Sequence, residues 1–315
     1  LKRVYSRVPQ TLHYCEDEMV IGCPFYVMEQ LSGVILRQGI RAPEALTPTI
    51  MATLSKSFVD NLAALHAVDV EEAGLSDLGR PEGYVERQVS GWTRRYENAK
   101  TEDLLSIDDV ARWLAANRPP DSGAALIHND YKYDNLVLNP RDLTEIVGVL
   151  DWEMATVGDP LMDLGTTLGY WVQADDSDVI KSLPFGSTEL PGNYTRQQLV
   201  DRYSEVTGRN VDHALFYYVY GLFKITVIVQ QIFAILKTIR AEGMTVLLVE
   251  QNAHLALEFA DFVYILENGR GVLSGPSADM QRNDMVREFY LGVSENTERR
   301  SYADAKPYRI RKRWR

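Results

Sequence analysis

The feature that most constrains this chain is a polar segment, His128-Asn-Asp-Tyr-Lys-Tyr-Asp-Asn135, that lies among short apolar runs. Ala124–Ile127 precedes it, and Leu136–Leu138 and Ile146–Leu150 follow it. Runs this short are typical of buried strands, and the last two predict a hairpin. A second polar triplet, Asp151-Trp-Glu153, begins where the third run ends. The sequence therefore predicts two groups of carboxylate and amide side chains at strand ends.

Most of the remaining chain before residue 231 has helical periodicity. Residues 49–66, 84–96 and 199–236 are predicted helices, and Val20–Met28 is predicted to be a strand. The most apolar stretch, Phe216–Leu236, contains a lysine and two glutamines, so we expect a buried helix rather than a membrane span.

The spacing of the polar residues suits phosphoryl transfer. That reaction needs a carboxylate that orients the acceptor hydroxyl and accepts its proton, and oxygen ligands that hold Mg²⁺ on the phosphates. The pattern His-x-Asp-x-x-x-x-Asn, followed by a distant Asp, supplies these groups in the order of the kinase catalytic and metal-binding loops. The alternative is that Asp and Asn are ordinary turn residues here. We expect His128 itself to be structural, hydrogen-bonding within the loop.

The segments HNDYKYDN at 128–135 and VLDWEMATVGDPLMDLG at 149–165 resemble those of the aminoglycoside-phosphotransferase-like small-molecule kinases. The branch encoded beside, or fused to, acyl-CoA dehydrogenases is the most similar, with further support at 13–29 and 63–88. The resemblance covers residues 1–231. It implies an α+β, kinase-like fold with a hinge strand and a mainly helical C-terminal lobe.

The resemblance also implies roles for the loop residues. Asp130 would be the catalytic base, and Lys132 would lie near the transferred phosphate. Asn135 and Asp151 would bind Mg²⁺ and, through it, the nucleotide. Asp159 and Asp163 would brace the loops. The acceptor would be a small-molecule hydroxyl. A hydroxyacyl-CoA is one candidate, and the acidic residues beyond the catalytic loop would also suit a cationic acceptor.

By the same resemblance, Met28, Glu29 and Leu31 would belong to the hinge whose backbone contacts the adenine of ATP. Such a kinase also needs an N-terminal lobe with a Gly-rich strand pair, a phosphate-binding lysine and a helix glutamate. Only nineteen residues precede Val20, and Lys2 has no strand-like context. We therefore expect a truncated N-lobe and impaired kinase activity.

The pattern changes after Gln231, where short helices and strands alternate in the manner of a parallel α/β sheet. Thr245–Val249 and Phe262–Leu266 are predicted strands, and Asn268-Gly269 is a predicted hairpin turn. Residues 232–293 resemble the C-terminal end of an ABC-transporter ATPase of branched-chain amino-acid importers. Because no G-x-x-x-x-G-K-[ST] or LSGGQ-like motif occurs, we expect no ATP hydrolysis by this segment alone.

These observations predict a domain at 1–231, an ABC-ATPase fragment at 232–293 and a basic tail at 294–315. Neither Gly, Ser nor Pro occurs between Gly221 and Gly243, unlike a natural linker. The hypothesis is a fusion of two truncated genes. A transport-associated interaction module and a non-functional chimaera remain the alternatives.

The formal net charge of −11 disfavours nucleic acid as a partner. Eight basic and three acidic residues in 294–315 would allow weak contact with anionic lipid or a membrane protein. Two cysteines are too few for a disulfide framework, so a cytoplasmic location is the default expectation.

Overall fold

The structure is a computed structural model that describes residues 1–36, 46–100, 105–181, 185, 187–249, 256–257, 259–267, 270–283 and 286. The chain divides into two compact units. We call Leu1–Gly243 the N-terminal unit and Met244–Arg315 the C-terminal unit. Each is described by itself.

The N-terminal unit is mainly helical, with three small antiparallel strand pairs. Its helices are α1 (Pro48–His66), α2 (Tyr84–Ala99), α3 (Leu105–Ala116), α4 (Pro160–Tyr170), α5 (Asp178–Lys181), α6 (Arg196–Thr207) and α7 (Ala214–Ala241). Its strands are β1 (Thr11–Cys15), β2 (Phe25–Met28), β3 (Ala125–Ile127), β4 (Leu136–Asn139), β5 (Asp142–Val149) and β6 (Thr156–Gly158). The pairs are β1–β2, β3–β6 and β4–β5.

Helix α1 shows how the sequence pattern builds the core. Thr47 caps its first turn by accepting a hydrogen bond from the amide of Ile50, and Pro48 fits the first helical position. The predicted apolar stripe is buried, with Leu54, Phe58 and Leu62 at 0–1% exposure. Burial of this stripe fixes the helix against the strands and loops that carry the polar motif.

The predicted strand at Val20–Met28 is shorter than expected. Only Phe25–Met28 is a strand, paired with Thr11–Cys15, because the chain turns at Gly22 with φ of 90°. A left-handed backbone there interrupts the extended conformation. By contrast, the hairpin predicted at 136–150 is confirmed as β4–β5.

Helix α7 is long and apolar enough to cross a membrane by length and composition. Its first half nevertheless packs inside the N-terminal unit against α4, where Gly165 and Gly221 let the two backbones approach. Farther along, Val229, Ile232 and Ile235 are exposed. The predicted junction at residue 231 lies inside this helix, and its origin in a gene fusion stays a prediction.

The C-terminal unit has a small antiparallel hairpin, β7 (Phe262–Glu267) with β8 (Arg270–Pro276), followed by α8 (Ser277–Arg282). The prediction of a strand at Thr245–Val249 is wrong. Leu247 and Val249 are 89% and 88% exposed, without the strand partner that a parallel sheet would provide. Among the described residues, the predicted parallel sheet is therefore absent. The predicted turn at 268–269 and the tail at 294–315 lie outside those residues.

Candidate active site

The loop between β3 and β4 brings three predicted site residues together. The Lys132 ammonium lies 2.9 Å from both carboxylate oxygens of Asp130. The Asn135 side-chain amide donates to Asp130 Oδ2 at 2.8 Å and to the Asp130 carbonyl at 2.9 Å. The Asp130 carboxylate is therefore oriented by one cation and one amide while 17% of its side chain stays exposed.

His128 is structural, as the sequence suggested. Its ring is buried, Nε2–H donates to the Leu150 carbonyl at 2.9 Å, and Nδ1 accepts from the Asp130 amide at 3.2 Å. Burial lowers the pKa of His128, against the opposing charge of Asp163. A neutral ring with a fixed tautomer therefore ties the two predicted loops together.

Asp163 holds the start of the catalytic loop. This fully buried carboxylate accepts hydrogen bonds from the amides of His128 and Asn129, both at 2.7 Å. It also lies 3.1 Å from His66 Nε2. Burial raises the pKa of Asp163, but the hydrogen bonds from the His66 side chain and the His128 backbone outweigh that effect and lower the pKa below its ordinary value. Asp163 is thus an internal anchor.

Asp159 braces a different segment. It caps α4 through the Leu161 amide at 2.8 Å and accepts hydrogen bonds from the Ser122 amide and hydroxyl at 2.6 and 2.7 Å. The structure therefore gives both acids of the Gly-Asp-Pro-x-x-Asp segment the bracing contacts that the resemblance implied.

Asn129, next to the predicted base, and Asp151, a predicted metal ligand, have left-handed backbones with φ of 65° and 66°. Asn is among the few non-glycine residues that adopt this conformation readily. The Asn129 side chain donates to the Met154 carbonyl at 3.0 Å and to the Tyr84 hydroxyl at 3.2 Å. Such conformations persist where surrounding contacts fix them, which is common at functional sites.

Asn135 and Asp151 are brought near each other because the Leu150 amide donates to the Asn135 carbonyl at 2.8 Å. Asp151 itself is exposed. Across the described part of the chain, no group of three or more His, Cys, Asp or Glu side chains is arranged to hold a metal. One amide oxygen and one carboxylate fit Mg²⁺, which usually keeps water and phosphate as its other ligands.

The predicted hinge follows β2. The Glu29 amide donates to the Gln10 carbonyl at 2.8 Å, and its carboxylate accepts from the Gln10 amide at 3.0 Å. Leu31 packs over Gly148 so closely that a Cβ there would lie 2.1 Å from Leu31 Cδ1. Met28, Glu29 and Leu31 thus connect β2 with the β4–β5 hairpin, and their contact with adenine stays a prediction.

Sequence reasoning missed one charged residue beside the loop. Lys224 of α7 is 2% exposed, and its ammonium donates to the Asn129 carbonyl at 2.8 Å. The available signal was a lysine inside the most apolar stretch of the chain. A buried charge requires a partner, so a lysine in an apolar stretch predicts a nearby acceptor.

The chain is similar to several known proteins. Residues 2–196 match the phosphotransferase enzyme family, APH. Acyl-CoA dehydrogenase family member 11 of Gallus gallus is 34% identical over 231 residues, which are 72% of this chain and 29% of that protein. A solved protein from Ralstonia eutropha, provisionally described as an aminoglycoside phosphotransferase, is 30% identical with a TM-score of 0.64. That match covers 76% of this chain and 70% of the other.

A 66-residue stretch is also 53% identical to BraG, a high-affinity branched-chain amino acid transport ATP-binding protein of Pseudomonas aeruginosa. It spans 21% of this chain and only 28% of BraG, so it supports a local similarity alone. The chain likewise spans less than a third of the chicken relative. The family match is broader, and it agrees with the kinase-like fold and the expected resemblance. The chain belongs to the phosphotransferase enzyme family.

Proposed function

We propose that this protein transfers the γ-phosphate of ATP to a hydroxyl group of a small molecule. The observation that carries the proposal is the Asp130 carboxylate, which Lys132 and Asn135 orient while it stays partly accessible. A carboxylate in this position can accept the proton of an acceptor hydroxyl. Family membership and the two adjoining loops support this assignment.

Lys132 has a second role in the proposal. Its ammonium pairs with Asp130 and lies 4.7 Å from the centroid of the Tyr170 ring, which holds it beside the base. A cation so placed would stabilise negative charge on the transferred phosphoryl group. It would also keep Asp130 from rotating away before the acceptor arrives.

Asn135 and Asp151 would hold Mg²⁺, and the backbone at Met28, Glu29 and Leu31 would contact adenine. Because the Asn135 amide nitrogen already donates to Asp130, its oxygen remains as the ligand atom. Bound Mg²⁺ would neutralise charge on the phosphates. The chain's own contribution is to keep Asn135 and Asp151 on adjoining loops through the Leu150 amide.

The acceptor class rests on similarity. Relatives named as acyl-CoA dehydrogenases support a hydroxyacyl-CoA as the first acceptor to test. The cavity beside the loop, lined by Lys132, Asp134, Tyr170 and Phe185 among other residues, has a volume of about 10 Å³. A cavity of that size holds about one water molecule, so it does not define the acceptor.

The test measures Mg·ATP binding and phosphate transfer by the full chain and by Asp130→Ala, Asp151→Ala and Asp109→Ala. Asp109 is an exposed carboxylate on α3 and serves as the matched control. We expect Asp130→Ala to lower turnover about 100-fold or more. Asp151→Ala should weaken Mg·ATP binding about tenfold, or 1.4 kcal/mol.

Turnover that survives in Asp130→Ala would overturn the assignment of the base. ATP binding that neither Asp130→Ala nor Asp151→Ala changes would contradict the site as a whole.

A second candidate function concerns the C-terminal unit, for which the 53% identity with BraG is the supporting observation. In this proposal it is an ABC-ATPase fragment that acts as a transport-associated interaction module, with the basic residues 294–315 contacting anionic lipid. Sedimentation of the full chain with phosphatidylglycerol vesicles, with and without residues 294–315, tests it. Equal sedimentation with purely zwitterionic vesicles would contradict the lipid contact.

A further inference from the structure

Lys224 is a buried cation that none of the assigned roles uses. Its side chain extends from α7 to the Asn129 carbonyl, and its ammonium lies 5.7 Å from the centroid of the Trp92 ring. Burying an ammonium is costly unless acceptors and opposite charges compensate it. An apolar residue would fill this part of the helix at lower cost. The position of the contact therefore indicates what the charge does.

The Asn129 carbonyl belongs to the peptide group that joins Asn129 to Asp130. Lys224 holds the oxygen end of that group at 2.8 Å, and His128 Nδ1 holds its N–H end at 3.2 Å. The two amides just before it donate to Asp163. Lys224 therefore completes the restraint of the backbone immediately before the proposed base.

We propose that Lys224 is a positioning residue for Asp130: it fixes the last peptide plane before the base and so directs the carboxylate toward the acceptor hydroxyl. This inference rests on the proposed phosphotransfer function. The reason is geometric, because rotation of that peptide plane would change φ of Asp130 and move its carboxylate. A displacement of about 1 Å at a reacting group can cost about 100-fold in rate.

The charges around Lys224 are mixed. Burial lowers the pKa of Lys224 to about 8, Asp163 and Asp130 oppose that shift, and Lys132 and Arg95 add to it. The ammonium is therefore still mostly charged at neutral pH and loses its proton in the mildly alkaline range. A charged donor makes a stronger hydrogen bond than a neutral one.

The experiment compares Lys224→Met, Lys224→Arg and Lys237→Met in the full chain. Lys237→Met makes the same change on the same helix at an exposed position whose ammonium lies over Phe233. Three quantities are measured: kcat and KM of phosphate transfer, the thermal midpoint, and amide hydrogen exchange at Asp130.

We expect Lys224→Met to lower kcat about 10-fold to 100-fold and to leave KM within about twofold. Its thermal midpoint should change little, because removal of a desolvated charge offsets the loss of the donor to the Asn129 carbonyl. Exchange at the Asp130 amide should become about tenfold faster. Lys224→Arg should recover part of kcat, and Lys237→Met should match the unsubstituted protein.

Unchanged kcat and exchange in Lys224→Met would overturn the inference. So would a loss of kcat that follows only from a lower folded fraction. If the unsubstituted chain transfers phosphate no faster than Asp130→Ala, the proposed function fails. The exchange rate then still decides whether Lys224 positions the loop: faster exchange supports that contact, and unchanged exchange refutes it.

Discussion

The two units of this chain differ in the apolar core that they bury and in the polar side chains that this core surrounds. In the N-terminal unit a large buried core surrounds polar side chains such as Asp163, whose carboxylate has several donors. In the described part of the C-terminal unit, the buried cluster contains Leu257, Met280 and Val286. Phe262 and Tyr264 on its hairpin remain exposed at 50% and 71%. The N-terminal unit thus has a core large enough to hold buried charged groups, whereas the described residues of the C-terminal unit bury a small apolar cluster.

The strongest way to break this comparison is to remove Asp163. Asp163→Ala leaves two loop amides and His66 without their acceptor inside the core. We expect the free energy of unfolding to fall by about 3–5 kcal/mol, because several buried donors lose their carboxylate acceptor. Urea denaturation measures it.

The matched control for that experiment is Asp279→Ala, an exposed carboxylate on α8 of the C-terminal unit. We expect a change within about 0.5 kcal/mol. Equal losses in the two variants would contradict the claim that the N-terminal unit depends more on its buried polar contacts.

We expect a smaller difference in unfolding free energy when one glycine of each unit is replaced by alanine. A Cβ on Gly165 would lie 2.2 Å from the Tyr217 carbonyl, so Gly165→Ala must push α4 from α7. We expect a loss of about 1–3 kcal/mol in unfolding free energy. In the C-terminal unit, a Cβ on Gly275 would meet only the flexible end of Met280 at 2.8 Å, and we expect a smaller loss.

Gly91→Ala on α2 controls for helix propensity, since among the described residues no heavy atom beyond its chain neighbours and its own helix backbone lies within 4 Å of the added Cβ. This variant should gain about 0.5–1 kcal/mol. Thermal unfolding of the three variants tests the ranking, and a stable Gly165→Ala protein would show that the α4–α7 contact is adaptable.

The last expected effect is a pH dependence within the N-terminal unit. The folded-state pKa of Lys224, about 8, lies below its ordinary value of 10.5, so the unfolded chain holds that proton more tightly. Between pH 8 and 10.5 this group therefore makes stability rise with pH, by at most about 1.4 kcal/mol per pH unit. Unfolding of Lys224→Met at several pH values should lack that rise. The same rise in the unsubstituted protein and in Lys224→Met would show that Lys224 does not cause this pH dependence.

The elements that were predicted correctly are those that local sequence patterns determine. The β4–β5 hairpin was predictable because its partners are neighbours in sequence, and the α1 stripe because burial repeats at helical spacing. The prediction of a strand at Thr245–Val249 was wrong because an apolar run forms a strand only beside a partner strand. The start of β2 was misplaced because Gly22 turns the chain.

The site residues, too, were predictable where they lie close together in sequence and not where they lie far apart. The spacing of Asp130, Lys132 and Asn135 predicted their proximity, since one short loop carries all three. Lys224 could not be assigned a role that way, because 95 residues separate it from Asn129 and only tertiary packing joins them. Sequence spacing finds groups on one loop, while the residues that hold the loop in place come from distant helices.

The left-handed backbone of Asn129 has a consequence for recognising and redesigning such loops. Val, Ile and Thr are disfavoured at that φ, whereas Gly and Asn are accepted. Asn additionally tethers the loop to Tyr84 and Met154, which Gly could not do. A sequence pattern for such loops should therefore allow either Gly or Asn between the histidine and the aspartate. In a redesigned loop, Asn would give a more rigid backbone and Gly a more flexible one.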